Sequence, residues 1–171
     1  MKGYVHIYTG NGKGKTTAAL GLSIRAAGAG LKVFIAQFIK KGNYSEIKAL
    51  KKFSDLITVD QFGSGCFIKG KPAAEDIQAA QKGIEKIKSI VFSGNYKMVI
   101  LDEANVAIKL GLFSVEDLLY IIANKPEEVE MVITGRNADQ RLIEKSDLVT
   151  EMKEIKHYFQ KGVKARIGIE K

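Results

Sequence analysis

The chain has 171 residues, 46% of them hydrophobic and 27% charged, with two prolines and a single cysteine, Cys66. That is the size of one domain able to bury a core without disulfides or structural zinc, and no apolar run approaches the ~20 residues that a bilayer-spanning helix needs. Lys and Arg outnumber Asp and Glu by 27 to 19, a net charge of +8, which suits a polyanionic partner without choosing among nucleotide, nucleic acid and anionic membrane.

One cysteine cannot form an internal disulfide, and the opening MKGYVHIY runs into a strand pattern with no apolar signal core, so a reducing, cytoplasmic setting is expected. The lysines Lys48, Lys51, Lys52, Lys82, Lys86 and Lys88 are interleaved with Glu46, Glu75 and Glu85. That reads as solvated helix faces more than as a basic tract for nucleic acid. No repeat, low-complexity segment or linker divides the chain, and a single nucleotide-binding domain over 1–171 is expected.

In chain order, a strand over Tyr4 to Tyr8 leads into a glycine-rich loop and a helix over Thr16 to Ala27, closed by Gly28 and Gly30. Strands follow at Lys32 to Phe38 and Leu56 to Gln61, with a helix start between them at Asn43, paired with Glu46. Phe62 to Lys71, FGSGCFIKGK, reads as a loop, either a plain surface connection or a ligand contact. Pro72 sits at a first helical position before a long helix that runs to Ser93 and stops at Gly94. Strands at Met98 to Leu101, Glu130 to Thr134 and Asp147 to Met152 alternate with helix starts at Ser114 with Asp117 and Asn137 with Gln140. The runs VFIAQF, MVIL and MVIT are apolar on both faces, as strands covered by helices on both sides must be. The predicted class is α/β: a mostly parallel sheet with helices on both faces, P-loop nucleoside-triphosphatase-like and of the RecA-like kind.

The loop Thr9 to Thr17 reads TGNGKGKTT. The general phosphate-binding pattern is G-x-x-x-x-G-K-[ST], in which backbone N–H groups and a helix N-terminus surround phosphate oxygens. Gly14, Lys15 and Thr16 match its end. Its start carries Thr9, with glycine one residue later at Gly10, yet Gly10, Gly12 and Gly14 supply the backbone freedom that close approach to phosphate requires. Thr9, Gly10, Asn11, Gly12, Lys13, Gly14, Lys15, Thr16 and Thr17 are therefore the candidate triphosphate contacts, with Lys15 on the phosphates and the Thr16 hydroxyl on Mg²⁺.

Met98 to Glu103, MVILDE, is an apolar strand ending in two acids, the arrangement that offers a carboxylate to such a metal. Asp102 and Glu103 are candidate Mg²⁺ groups; acids after a strand also serve as helix caps. A phosphate loop alone does not say which bond breaks.

TGNGKGKTTAA, QFIK, VILDE, ITGR, SDLVTEM and a late KH followed by GVKA occur in order along nearly the whole chain. Together they resemble the ATP:corrinoid adenosyltransferases of cobalamin synthesis, in which the GNGKGKT form of the loop is typical. The resemblance implies transfer of the 5′-deoxyadenosyl group of ATP to a reduced Co(I) corrinoid, with release of triphosphate. It implies Lys15, Thr16 and Glu103 as catalytic residues, Mg²⁺ on Thr16, Asp102 and Glu103, and Arg136 as a further group for an anion. It also implies a homodimer and a corrinoid-reducing flavoprotein partner. Better-known members carry a longer N-terminal extension and a Gly-Phe-Thr-Trp segment facing the corrin. Here that stretch is Gly65-Cys66-Phe67-Ile68, which leaves Phe67 as the aromatic on the corrinoid side.

Two other readings stay open on the residues themselves. One is an ATPase or kinase in which Glu103 activates a nucleophile for attack at the γ-phosphate. The other is a nucleotide-dependent nucleic-acid-binding module, motivated by the +8 charge. His6 and His157 lack catalytic partners in sequence and are expected to be structural.

Overall fold

A computed structural model describes residues 1–65, 68 and 70–170; the Phe67 assignment therefore lies outside the described residues. The strands are β1 (Val5–Thr9), β2 (Val33–Phe38), β3 (Ile57–Phe62), β4 (Met98–Asp102), β5 (Glu130–Thr134) and β6 (Leu148–Glu151). Their order is β3-β2-β4-β5-β1-β6, and every pairing is parallel. The sheet is thus wholly rather than mostly parallel. All six strands begin and end within a residue of the positions read from sequence.

Side chains alternate across a strand, and the two cores follow from that. Val33 and Ile35 of β2 join Met98, Ile100 and Val132 beneath helix α1 (Lys15–Gly28). Phe34, Ala36 and Phe38 face the other way, with Val99, Leu101, Met131 and Ile133. Helices α3 (Ala74–Phe92), α4 (Ala104–Lys109), α5 (Val115–Asn124) and α6 (Gln140–Lys145) cover that second face. The short α2 (Ser45–Leu50) supplies Leu50 to the first. Every residue of β2 and β4 is buried, whereas all of β6 at the sheet edge is exposed.

Three helix starts differ from expectation. Asn43 does not cap α2, whose N-cap is Tyr44. Asn137 takes a left-handed φ of 57°, and Asp139 caps α6 instead, its carboxylate accepting the Arg141 N–H at 2.9 Å. In both cases the helix starts one to two residues later than the capping pattern indicated. Pro72 precedes the N-cap Ala73, and Asp76 accepts the Ala73 N–H at 3.0 Å. Ser114 caps α5 reciprocally with Asp117, as expected. Gly28 lies within α1; Gly30, at φ 77°, is the left-handed residue that ends it.

Candidate active site

In a parallel sheet all strands end on one edge, and ligands bind there. The loop after β1 and the acids after β4 both lie on that edge, with β5 between their strands. Helix α1 opens at Gly14, φ 116°, without a side-chain cap, so its first amides and positive dipole end are offered to an anion.

Lys15 is buried, with its ammonium turned into the loop, donating to the Gly10 carbonyl at 2.7 Å and the Gly12 carbonyl at 2.6 Å. An ammonium has three donors, so one remains for a phosphate oxygen. Burial and the nearby Arg136 charge push the Lys15 ammonium below its ordinary range, with Glu103 opposing. The site therefore holds an incompletely compensated cation, which an anionic ligand would complete.

The loop glycines are required by packing. A Cβ on Gly10 would lie 2.5 Å from the Met152 carbonyl oxygen, and one on Gly12 would lie 2.7 Å from the same atom. The Gly12 N–H donates to that carbonyl at 2.7 Å, and the Met152 N–H to the Thr9 carbonyl at 2.9 Å. The chain leaving β6 thus packs directly on the loop, and the Gly12 amide is engaged there and not free for phosphate.

Asp102 is fully buried at the centre of the site. Its Oδ1 accepts the hydroxyls of Thr16 and Thr134, each at 2.8 Å. Its Oδ2 accepts Lys40 Nζ at 3.0 Å and Gln37 Nε2 at 3.2 Å. Gln61 continues this chain, donating to Gln37 at 3.0 Å and accepting the Gly42 N–H at 3.0 Å. Glu103 occupies the N-cap position of α4 with φ 61°, but its side chain makes no cap hydrogen bond. Its N–H donates to Thr134 Oγ1 at 3.0 Å, and its carboxylate lies 3.9 Å from Lys40. Burial, then the adjacent Asp102 charge, raise the Glu103 carboxyl above its ordinary range, against Lys40, Lys15 and Arg136.

The structure brings Lys15, Thr16, Asp102 and Glu103 together, with Arg136 close enough to act on Lys15 and Glu103 electrostatically. Arg136 is exposed, and among the described residues no carboxylate lies within ion-pair distance of it. Asn11 and Thr17 are exposed, and the Thr9 hydroxyl accepts the Ala138 N–H at 3.3 Å. Lys13 turns away from the loop interior to Tyr158 and Glu170, at 2.9 and 2.8 Å.

Sequence reasoning did not assign Lys40, Gln37 or Thr134 to the site, although all three fall in the landmarks QFIK and ITGR. The available signal was positional: each ends or follows an apolar strand of a parallel sheet, on the edge where β4 delivers its acids. Both histidines have partners within the fold. His6 pairs with Glu130 at 2.6 Å, and His157 accepts the Phe159 N–H at 3.0 Å.

Among the described residues no three His, Cys, Asp or Glu side chains could hold a metal by themselves. Thr16 and the two acids nevertheless fit Mg²⁺ arriving with a nucleotide, because that ion uses few protein ligands and completes its shell with water and phosphate oxygens.

The sequence profile of the ATP:corrinoid adenosyltransferase BtuR/CobO/CobP family matches residues 1–170. A corrinoid adenosyltransferase of Sinorhizobium sp is 37% identical over 172 residues, covering 99% of this chain and 80% of that protein. Those of Pseudomonas aeruginosa and Escherichia coli K12 are 34% and 31% identical, each over 99% of this chain and 84% and 86% of theirs. With a match along essentially its whole length, the chain belongs to the ATP:corrinoid adenosyltransferase family.

Proposed function

We propose that the loop Gly10 to Thr17 holds the triphosphate of ATP while the 5′-deoxyadenosyl group passes to the cobalt of a Co(I) corrinoid. The observation that carries this reading is the Thr16–Asp102 contact beside the buried Lys15 ammonium, in a chain of this family. Cobalt attacks the ribose C5′ carbon, a carbon–cobalt bond forms, the C5′–O bond breaks, and the electron pair leaves on inorganic triphosphate.

Co(I) is nucleophilic without deprotonation, so no general base is required. What remains for the protein is positioning and charge stabilisation of the leaving group. Lys15 and the open amides at the start of α1 hold the triphosphate. Thr16, Asp102 and Glu103 would hold Mg²⁺, which when bound neutralises charge on the phosphates. Arg136 adds a cation from the loop after β5. Phe67 is the proposed aromatic contact to the corrin, and a homodimer, a cytoplasmic setting and a corrinoid-reducing flavoprotein complete the proposal. No helix among the described residues is long and apolar enough to cross a membrane.

The test is incubation with Mg²⁺, ATP and chemically reduced cobalamin, following the cobalamin spectrum and the phosphate products together. Spectral conversion to an alkylcobalamin with stoichiometric triphosphate is expected. Steady orthophosphate release without spectral change would instead establish the γ-phosphate chemistry of an ATPase.

A further inference from the structure

Lys40 reaches the acid pair because the backbone before it is forced to turn. Ile39 has φ 68°, a conformation that is a true outlier for a β-branched residue. The Lys40 N–H closes this three-residue turn onto the Phe38 carbonyl at 2.6 Å. Gly63 backs the turn: a Cβ there would lie 2.3 Å from the Ile39 carbonyl oxygen and 2.7 Å from that of Lys40. Strain of this kind persists where the surroundings over-determine it, and it gathers at functional sites.

The result is an ammonium 3.0 Å from Asp102 Oδ2, 3.4 Å from Thr16 Oγ1 and 3.9 Å from Glu103 Oε1. It sits among the same three groups that would hold Mg²⁺. Lys15 is not equivalent, since two of its donors are taken by loop carbonyls. A lysine on a flexible four-carbon stem can move where a fixed group cannot.

Resting on the reading of this site as a Mg²⁺–ATP site, we propose that Lys40 is a positioning residue that serves as a stand-in cation: it neutralises Asp102 and Glu103 until the metal–nucleotide complex displaces it toward the triphosphate. Two unscreened carboxylates would repel an incoming triphosphate, so the ammonium keeps the site receptive. Its displacement then moves a positive charge from the acids to the leaving group.

Mn²⁺ serves as the probe, its free fraction read by electron paramagnetic resonance, with wild type, Lys40→Met and Lys40→Arg compared after melting curves confirm folding. Without nucleotide, Lys40→Met is expected to take up Mn²⁺ about tenfold more tightly than wild type, the size expected for removing one like charge a few ångströms away in a polar site. In EDTA, its ATP affinity is expected to fall by a similar factor. Lys40→Arg, which keeps the charge, is expected to stay near wild type in both measurements. Lys40→Gln repeats the series if the methionine variant melts below the assay temperature. Equal Mn²⁺ uptake and equal metal-free ATP affinity in wild type and Lys40→Met, with Mn²⁺-dependent ATP binding intact, would overturn the role of Lys40 and leave the site reading standing. ATP binding that ignores divalent cations in every protein would overturn the metal reading, and the stand-in cation with it.

Discussion

The glycine-rich loop after β1 has two sides, and its lysines divide between them. On the inner side, Lys15 is buried in the loop and Lys40 meets a fully buried Asp102 that also accepts Thr16, Thr134 and Gln37. On the outer side, the exposed Lys13 meets Tyr158 and Glu170 from the C-terminal segment. Arg166 binds the same Glu170 at 3.0 Å and lies over the Tyr158 ring at 4.9 Å. Hydrogen bonds from Arg166 first, then Lys13, hold the Glu170 carboxyl far below its ordinary range. The outer cluster is also well connected, yet solvent reaches Lys13 and Arg166 and screens their charges, which are individually worth little. The groups around Asp102 cannot be separated without leaving a buried charge or donor unmatched.

The sharpest way to break this contrast is Asp102→Ala. It strands the Lys40 ammonium and three further donors, so a loss of about 3–5 kcal/mol is expected, from the cost of unpairing a buried ion. Denaturant melts check it, and a loss below that measured on the outer side would invert the comparison. Lys15→Ala should separate function from stability. Adenosyl transfer is expected to fall about 10²–10³-fold, as when one preorganised donor to developing charge is removed. Melting should be unchanged or raised, because the ammonium is held in a site that disfavours its charge. Undiminished ATP binding in that variant would place the triphosphate elsewhere.

Gly12→Ala lies on the boundary between the sides. Its Cβ would meet the Met152 and Lys153 carbonyl oxygens at 2.7 and 2.8 Å, so a destabilisation of about 1–3 kcal/mol is expected from overpacking against backbone. Faster amide exchange along β6 would accompany it. For Glu103 the expected effect is a pH profile. Because its carboxyl is raised by burial and Asp102, Mg²⁺-dependent ATP binding should strengthen as pH rises through a range above the usual carboxylate value of about 4.3; Glu103→Gln should flatten that rise. The smallest effect belongs to Glu170→Ala, with no resolvable change in melting but faster hydrogen exchange over residues 158–170. A clear stability loss there would show that the outer cluster matters more than its exposure indicates.

The strands and the loop were legible because their signals are local. VFIAQF and MVIL are apolar on both faces only if helices cover both sides, and Gly14-Lys15-Thr16 between strand and helix has one common use. Helix starts were read less well: Asn43 and Asn137 satisfy a capping pattern, but Tyr44 and Asp139 take the position, since where a loop delivers the chain decides which residue caps. Lys13 illustrates the same limit. Its place in GNGKGKT groups it with the phosphate contacts, whereas its partners are 145 and 157 residues away in sequence.

By itself the sequence determined the α/β class, the six strands, the position of the glycine-rich loop and of the acid pair, and the family, because hydrophobic period, glycine spacing and an apolar strand ending in acids are properties of contiguous residues. Only the tertiary structure decided that Lys40 faces Asp102 and Glu103, that Met152 packs on Gly10 and Gly12, and that the C-terminal segment reaches Lys13. Those contacts depend on the order β3-β2-β4-β5-β1-β6, which brings the ends of β2 and β4 side by side and lays the chain leaving β6 over the loop after β1. TGNGKGKTT carries its pattern within its own nine residues; the charges set beside it, Lys40, Asp102, Glu103 and Arg136, come from the ends of three other strands, β2, β4 and β5.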